Sequence, residues 1–262
     1  MTRRILTAAI LIPIVLASIF YLPRPAFLVL MDLILLLTLW EFLNLVSKNG
    51  ATAYWLTAPM VLGLPWVWAY AERWVLGYFI ATILLLLVSC VFQTRDMKTG
   101  FASVAGNVLA LIYLGVPLSI AGLLQKDYAK ELLLILVTIW MTDAAAYFAG
   151  RLWGRHKITP KISPGKSLEG YLAGFLAAAL TVPLYAHFLL PSWRISAAII
   201  TGVVLGVFGT MGDLFESVLK RGAGIKDSSN LIPGHGGMLD RIDSLLFAFP
   251  SYYLLRMSLL AS

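Results

Sequence analysis

Apolar residues run along this chain in long blocks, and short clusters of Pro, Gly and charged residues separate one block from the next. A helix crossing the roughly 30 Å hydrocarbon core of a bilayer needs about 20 mostly apolar residues. Nine stretches come near that length, at 5–22, 26–46, 54–70, 74–92, 103–124, 131–149, 171–190, 195–212 and 244–260. The gaps read as turns, as at Leu22-Pro23-Arg24-Pro25 and Gln93-Thr94-Arg95-Asp96. The pattern predicts an all-α polytopic integral membrane protein of about nine transmembrane helices, with no room for a separate soluble domain. Two arginines precede the first stretch and no small-residue cleavage site follows it, so it reads as a retained helix rather than a cleaved signal.

Composition narrows the classes. Of 262 residues, 60% are hydrophobic and 13% charged, against about 45–50% and about 25% in soluble domains. A soluble globular enzyme, a disordered chain and a free-standing nucleic-acid binder are excluded. The net charge is +7, and in an apolar chain such an excess marks cytoplasmic loops. With the N-terminus inside, inner segments hold 14 of the 20 Lys and Arg and outer segments hold 6. That bias predicts a cytoplasmic N-terminus. The polar loops 150–170 and 213–243 are separated by two stretches, so they share a face whatever the count before them. The single cysteine, Cys90, lies in an apolar run and leaves neither a disulfide nor a thiolate metal site. The chain reads as a single membrane domain over 1–262, with 1–130 mainly anchor helices and 131–262 the catalytic half.

The candidate chemistry lies after residue 140. Asp143 places a carboxylate within an apolar stretch, where it must face a cavity or a partner; Tyr147, four residues on, shares its helix face. A packing hydrogen bond or an interfacial position would also accommodate Asp143. Asp32 and Glu41, with no polar loop beside them in sequence, read as structural or interfacial. The next loop carries Arg151, Arg155, Lys157 and Lys161, then Ser163-Pro164-Gly165-Lys166-Ser167-Leu168-Glu169-Gly170. Its cations suit a topogenic loop, and Lys157 reads so. The Ser-Pro-Gly turn gives Lys166 a fixed direction, and with Ser163 and Ser167 it suits phosphate oxygens. Residue 160 is Pro where a P-loop requires Gly, so a P-loop is rejected.

The third region runs from Gly209 to Asp243. If the helix over 195–212 continues to 221, Asp213, Glu216, Ser217 and Lys220 form one polar stripe, which would also suit a solvated face. Asp240 and Asp243, three apart, share a face as well. Carboxylates from two helix ends can then meet, and oxygen-only ligands favour Mg²⁺. The turn Pro233-Gly234-His235-Gly236-Gly237 can bring main-chain N–H groups close to an anion.

The segment Ser217-x-Leu219-Lys220-Arg221-x4-Lys226-Asp227-x-Ser229-x2-Ile232-Pro233-x-His235-Gly236-Gly237-x-Leu239-Asp240-Arg241-x-Asp243 resembles the signature of the phosphatidate cytidylyltransferases, also called CDP-diglyceride synthases. Asp143-x3-Tyr147 and the Ser163–Gly170 segment are similar to the family too. The resemblance implies an enzyme of phospholipid biosynthesis that converts CTP and phosphatidate into CDP-diacylglycerol and pyrophosphate. It implies Mg²⁺ on Asp213, Asp240 and Asp243, with a second cation as an option. Lys166, Lys220, Arg221 and Arg241 would offset phosphate charge, and Ser163, Ser167, Ser217, Lys226, His235, Gly236, Gly237 and Asp143 would contact substrate. The expected setting is a bacterial cytoplasmic (inner) membrane with the site facing the cytoplasm, membrane lipid as partner, no nucleic acid, and a homodimer as an option. Two rivals stand beside it. One is a related CTP-dependent membrane enzyme acting on another lipid phosphate or on polyprenol. The other is a secondary transporter, disfavoured because acids and cations concentrate in one half rather than in two repeated halves.

Overall fold

The computed structural model of the chain describes residues 2–46, 54–93, 97–229, 231 and 236–260. Among them there is no strand, and helices follow one another as α1 (Thr2–Tyr21), α2 (Arg24–Val46), α3 (Tyr54–Tyr70), α4 (Val75–Gln93), α5 (Met97–Ala110), α6 (Val116–Asp127), α7 (Ala129–Trp153), α8 (Leu168–Leu189), α9 (Ile195–Gly222) and α10 (Leu239–Leu255). A π turn at Leu111–Gly115 joins α5 to α6 without a break, and another, Arg256–Leu260, extends α10. The result is nine continuous helices, one on each predicted apolar stretch. Six stretches are long and apolar enough to cross a membrane: Arg24–Val46, Glu72–Ser89, Gly100–Asp127, Ala129–Trp153, Leu168–Leu189 and Ile195–Gly222. Ile12–Tyr21 is a shorter apolar helix, and α3 and α10 have 17 residues each.

The helices begin and end where the local chemistry requires. Pro23 precedes α2, and its carbonyl accepts from Phe27 N–H at 3.0 Å. Ser167 caps α8, its Oγ accepting from Gly170 N–H at 3.2 Å. The helix at 195 does continue past 212. Its 28 residues give a rod of about 42 Å, longer than the roughly 30 Å hydrocarbon core, so its polar last turns need not lie in lipid.

The residues divide into two compact units. One comprises Met1–Asp127 with Gly222–Arg241, and the other Tyr128–Arg221 with Ile242–Ser262. In the first, α2 packs on α3, α5 and α6, with Leu28, Leu35, Leu39 and Phe42 completely buried along it. The Phe42 and Tyr113 rings meet at 5.8 Å. Polar groups in this core find partners: Trp66 Nε1 donates to Asp32 Oδ2 at 2.7 Å, and Gln125 Nε2 donates to the Ile19 and Leu22 carbonyls at 3.1 and 3.0 Å.

In the second unit small residues let helix backbones approach closely, the device that replaces hydrophobic burial where the solvent is lipid. Gly170 and Gly174 of α8 lie against Ala146 and Thr142 of α7, and Gly202 of α9 lies against Ala178 of α8. At the start of α7, Glu131 accepts from Tyr252 Oη at 2.5 Å and from Arg256 Nε at 2.8 Å, tying that end to the end of α10. A Cβ at Gly202 would sit 2.5 Å from the Ala178 carbonyl oxygen, whereas one at Gly222 would meet nothing within 4 Å. Gly202→Val is therefore expected to destabilise the folded protein by about 1–3 kcal/mol through overpacking. Gly222→Ala should be neutral or stabilising by up to about 1 kcal/mol. Thermal unfolding of both variants in detergent checks the contrast.

Candidate functional site

The loop between α7 and α8 is fastened at both ends. Leu168 N–H donates to the His156 carbonyl at 2.8 Å, beside an antiparallel bridge between Lys157 and Ser167. The Glu169 carboxylate accepts from the main-chain N–H groups of Arg155 and His156, each at 3.2 Å, and meets His156 Nδ1 at 2.6 Å. Inside this frame the expected turn forms, closed by Lys166 N–H donating to the Ser163 carbonyl at 3.2 Å. Pro164 occupies the turn position that its fixed φ favours. Arg221 Nε reaches the Ile162 carbonyl at 3.1 Å from the end of α9.

The turn aims Lys166 at α9, where its Nζ lies 2.5 Å from Asp213 Oδ2. One turn further on, Lys220 Nζ lies 2.5 Å from Glu216 Oε2. The carboxylates of Asp213, Glu216 and Asp243 come within 4.8 Å of one another. Gly212 makes this convergence possible: a Cβ there would stand 3.1 Å from Ser244 Cα, so only glycine lets the α10 backbone come that near. Three carboxyl groups and two ammonium groups meet in the cluster. Its donors are all oxygen, the set that suits a hard divalent cation rather than zinc or copper.

Asp213 and Lys166 also line a cavity of about 550 Å³, with Asp143, Tyr147, Arg151, Lys157, Ser167, Tyr171 and Thr210 among its other walls. Asp143 thus faces a cavity, one of the two environments its sequence position allowed. Tyr147 accompanies it, and Arg151 Nη1 donates to Tyr147 Oη at 3.3 Å. Lys157 lines the same cavity, which a purely topogenic charge would not do. Ser167 contributes a wall while its hydroxyl caps α8.

The glycine-rich segment is organised separately, within the first unit. Asp240 Oδ2 accepts from Gly237 N–H at 2.7 Å, Ser228 Oγ at 2.8 Å and Ser228 N–H at 3.0 Å. Gly236 has a φ of +81°, a conformation open to glycine at little steric penalty. Among the described residues of the second unit, Glu216 joins Asp213 and Asp243 in one group; Asp240 lies in the first unit, where its Oδ2 holds the loop. Glu216 was visible as part of the α9 stripe, but a stripe alone does not separate a ligand from a solvated face. Ser217 lies half-buried on α9, and Lys226 and Arg241 are exposed. His235, Pro233 and Gly234 lie outside the described residues. Glu41, which the sequence marks only as structural or interfacial, is fully buried near the end of α2 and takes hydrogen bonds from residues 228–239.

A sequence model described as "Cytidylyltransferase family" matches residues 2–259. A Thermotoga maritima protein named phosphatidate cytidylyltransferase is 33% identical over 264 residues, covering 96% of this chain and 94% of its own. A Haemophilus influenzae protein of that name is 31% identical over 278 residues, covering 95% and 96%. A third, from Staphylococcus haemolyticus, is 33% identical over 230 residues, covering 83% and 85%.

The carboxylate cluster generates a direct test. Glu216→Gln and Asp243→Asn should each weaken Mn²⁺ binding, read by electron paramagnetic resonance in detergent, by at least about tenfold, since even groups one shell outside a metal contribute that much. Asp227→Asn, an exposed acid, should leave it unchanged. Equal affinities throughout would remove the cluster as a cation site.

Proposed function

Because the chain belongs to the cytidylyltransferase family, we propose that it transfers the cytidylyl group of CTP to phosphatidate, forming CDP-diacylglycerol and pyrophosphate at the cytoplasmic face of a bacterial membrane. The observation that carries this reading is the cluster of Lys166, Asp213, Glu216, Lys220 and Asp243 beside a cavity, at the ends of helices that are otherwise apolar. A lipid phosphate meets a nucleotide where lipid gives way to water.

In the reaction an oxygen of the phosphatidate phosphate attacks the α-phosphorus of CTP. One P–O bond forms there while the bond to the bridging oxygen of the pyrophosphate breaks in line. A phosphate monoester has its second pKa at about 6, so the nucleophile is already deprotonated near neutral pH and no side chain is assigned as general base. Repulsion between two anions is the obstacle. Lys166 and Lys220 hold ammonium groups where phosphate oxygens can compete with Asp213 and Glu216 for them, and Arg221 and Arg241 add positive charge. Arg and Lys differ in this role, since the guanidinium fork suits two phosphate oxygens at once. Asp213, Glu216 and Asp243 are the residues that would hold Mg²⁺, which when bound offsets phosphate charge and stabilises the departing pyrophosphate.

Contacts between helix ends support the nine-crossing topology, and the excess of Lys and Arg on its inner segments supports an N-terminus inside. Gln125 at the end of α6 bonds the end of α1, four crossings earlier. Glu131 at the start of α7 bonds Arg256 after α10, again four crossings apart. Glu41 at the end of α2 bonds the segment after α9, six crossings later. Every such pair requires an even number of crossings, and nine crossings satisfy all three. In a Cys90→Ala background, Lys161→Cys and Lys226→Cys should both be labelled by a membrane-impermeant maleimide only from the cytoplasmic side. Labelling from opposite sides would break the topology.

Purified protein given CTP, phosphatidate and Mg²⁺ should produce CDP-lipid and pyrophosphate in equal amounts; release of CDP instead would identify a CTP-dependent kinase. Lys166→Met should lower kcat/KM about a hundredfold, the scale of losing a group aimed at transition-state charge, with both kcat and KM affected because phosphate is charged throughout. Lys161→Met, exposed in the same loop, should stay near the parent. Equal, mild losses would remove Lys166 from the site.

A further inference from the structure

Glu41 sits near the end of an apolar helix, completely buried, yet it faces neither a lysine nor an arginine in any described contact. Its four described partners all come from the segment before and at the start of α10. Oε1 accepts from Ser229 Oγ at 2.5 Å and Met238 N–H at 2.9 Å; Oε2 accepts from Leu239 N–H at 2.7 Å and Ser228 Oγ at 3.2 Å. Each carboxylate oxygen therefore takes one main-chain N–H and one serine hydroxyl. The N–H groups belong to the beginning of α10, where a helix has donors without internal acceptors. Such donors are usually satisfied by a neighbouring residue in sequence; here the acceptor stands 198 positions earlier.

From this geometry we infer that Glu41 is a positioning residue for the transfer reaction. Its carboxylate fixes the main chain on either side of the Gly236-Gly237 turn, and the inference rests on the reading that this turn meets substrate. Asp240 closes the same segment from within through Ser228 and Gly237, so two carboxylates hold one short stretch of backbone. Gly237 completes the arrangement: a Cβ there would lie 2.5 Å from Glu41 Oε1 and collide with it. Packing alone would not need this residue to be an acid. Glutamine has the same shape, but one of its two terminal atoms is an NH₂ donor. Whichever way that amide is turned, the donor faces Met238 N–H or Leu239 N–H, and a main-chain N–H cannot rotate away as a hydroxyl can.

Glu41→Gln in the full-length protein separates positioning from packing. Amide hydrogen exchange at Met238 and Leu239 should accelerate at least about tenfold, as expected for loss of one hydrogen bond to a charged acceptor. The value of kcat/KM for CTP should fall by at least about tenfold, on the same grounds. The Mn²⁺ affinity of the Asp213–Glu216–Asp243 cluster should stay at the parental value. Exchange at parental rates would overturn the inference, as would faster exchange with kcat/KM unchanged. If Glu41→Gln fails to accumulate in the membrane, Ser229→Ala replaces it, leaving the carboxylate and both N–H groups in place; a loss of about threefold or more in kcat/KM is then expected, and no loss overturns the role. The parent protein's own product is measured in parallel: absence of CDP-lipid would sink the substrate assignment, while the exchange result still decides whether Glu41 holds the segment.

Discussion

Every carboxylate set into an apolar helical bundle must be compensated where it stands, since an isolated charge in such surroundings costs several kcal/mol. Asp213, Glu216 and Asp243 sharpen that demand by lying within 4.8 Å of one another, where their mutual repulsion adds to the loss of water. Lys166 and Lys220 answer it in part. Much of the local architecture can be traced to delivering those two ammonium groups and no more: a fastened loop, a turn built on Pro164, a glycine at 212 and a helix that runs on beyond its apolar stretch. Carboxyl oxygens from two helices converge there, a donor set that suits a divalent cation.

Glu41 and Asp240 meet the same demand by a different route. The four described partners of Glu41, and three of those of Asp240, are N–H and hydroxyl groups. Charge-assisted hydrogen bonds of this kind are directional, so the price of burying the acid is recovered as a defined backbone path. Ammonium partners can be exchanged for phosphate without breaking the fold; main-chain donors cannot. The two arrangements thus divide the work between groups that interact with the reactants' charge and groups that hold a segment still.

The helices were legible because a membrane helix writes its length into the sequence as an unbroken apolar block, and all nine blocks are helical. Asp213, Asp243 and Lys166 were legible from spacing, turn chemistry and the parity of the crossings, which brings distant loops to one face. Glu216 was only half legible, since the same stripe describes a solvated helix face. Glu41 was legible only as a structural or interfacial acid: its partners lie up to 198 residues away, and two of them are main-chain N–H groups, which every non-proline residue carries. Lys157 misled for a similar reason, because its loop is bridged to Ser167 by contacts that charge counting does not record. The three donors that Asp240 takes from its own loop on one oxygen are contacts that spacing alone does not record.

The length of α9 acts as a ruler. Its apolar portion matches the hydrocarbon thickness, and Asp213, Glu216 and Lys220 follow within the next two turns of the same rigid rod. A rise of 1.5 Å per residue fixes their height above the apolar portion of the helix to within a few ångströms. A substrate need not be lifted out of the bilayer to be reached, so its tails can stay solvated by neighbouring lipids throughout the turnover.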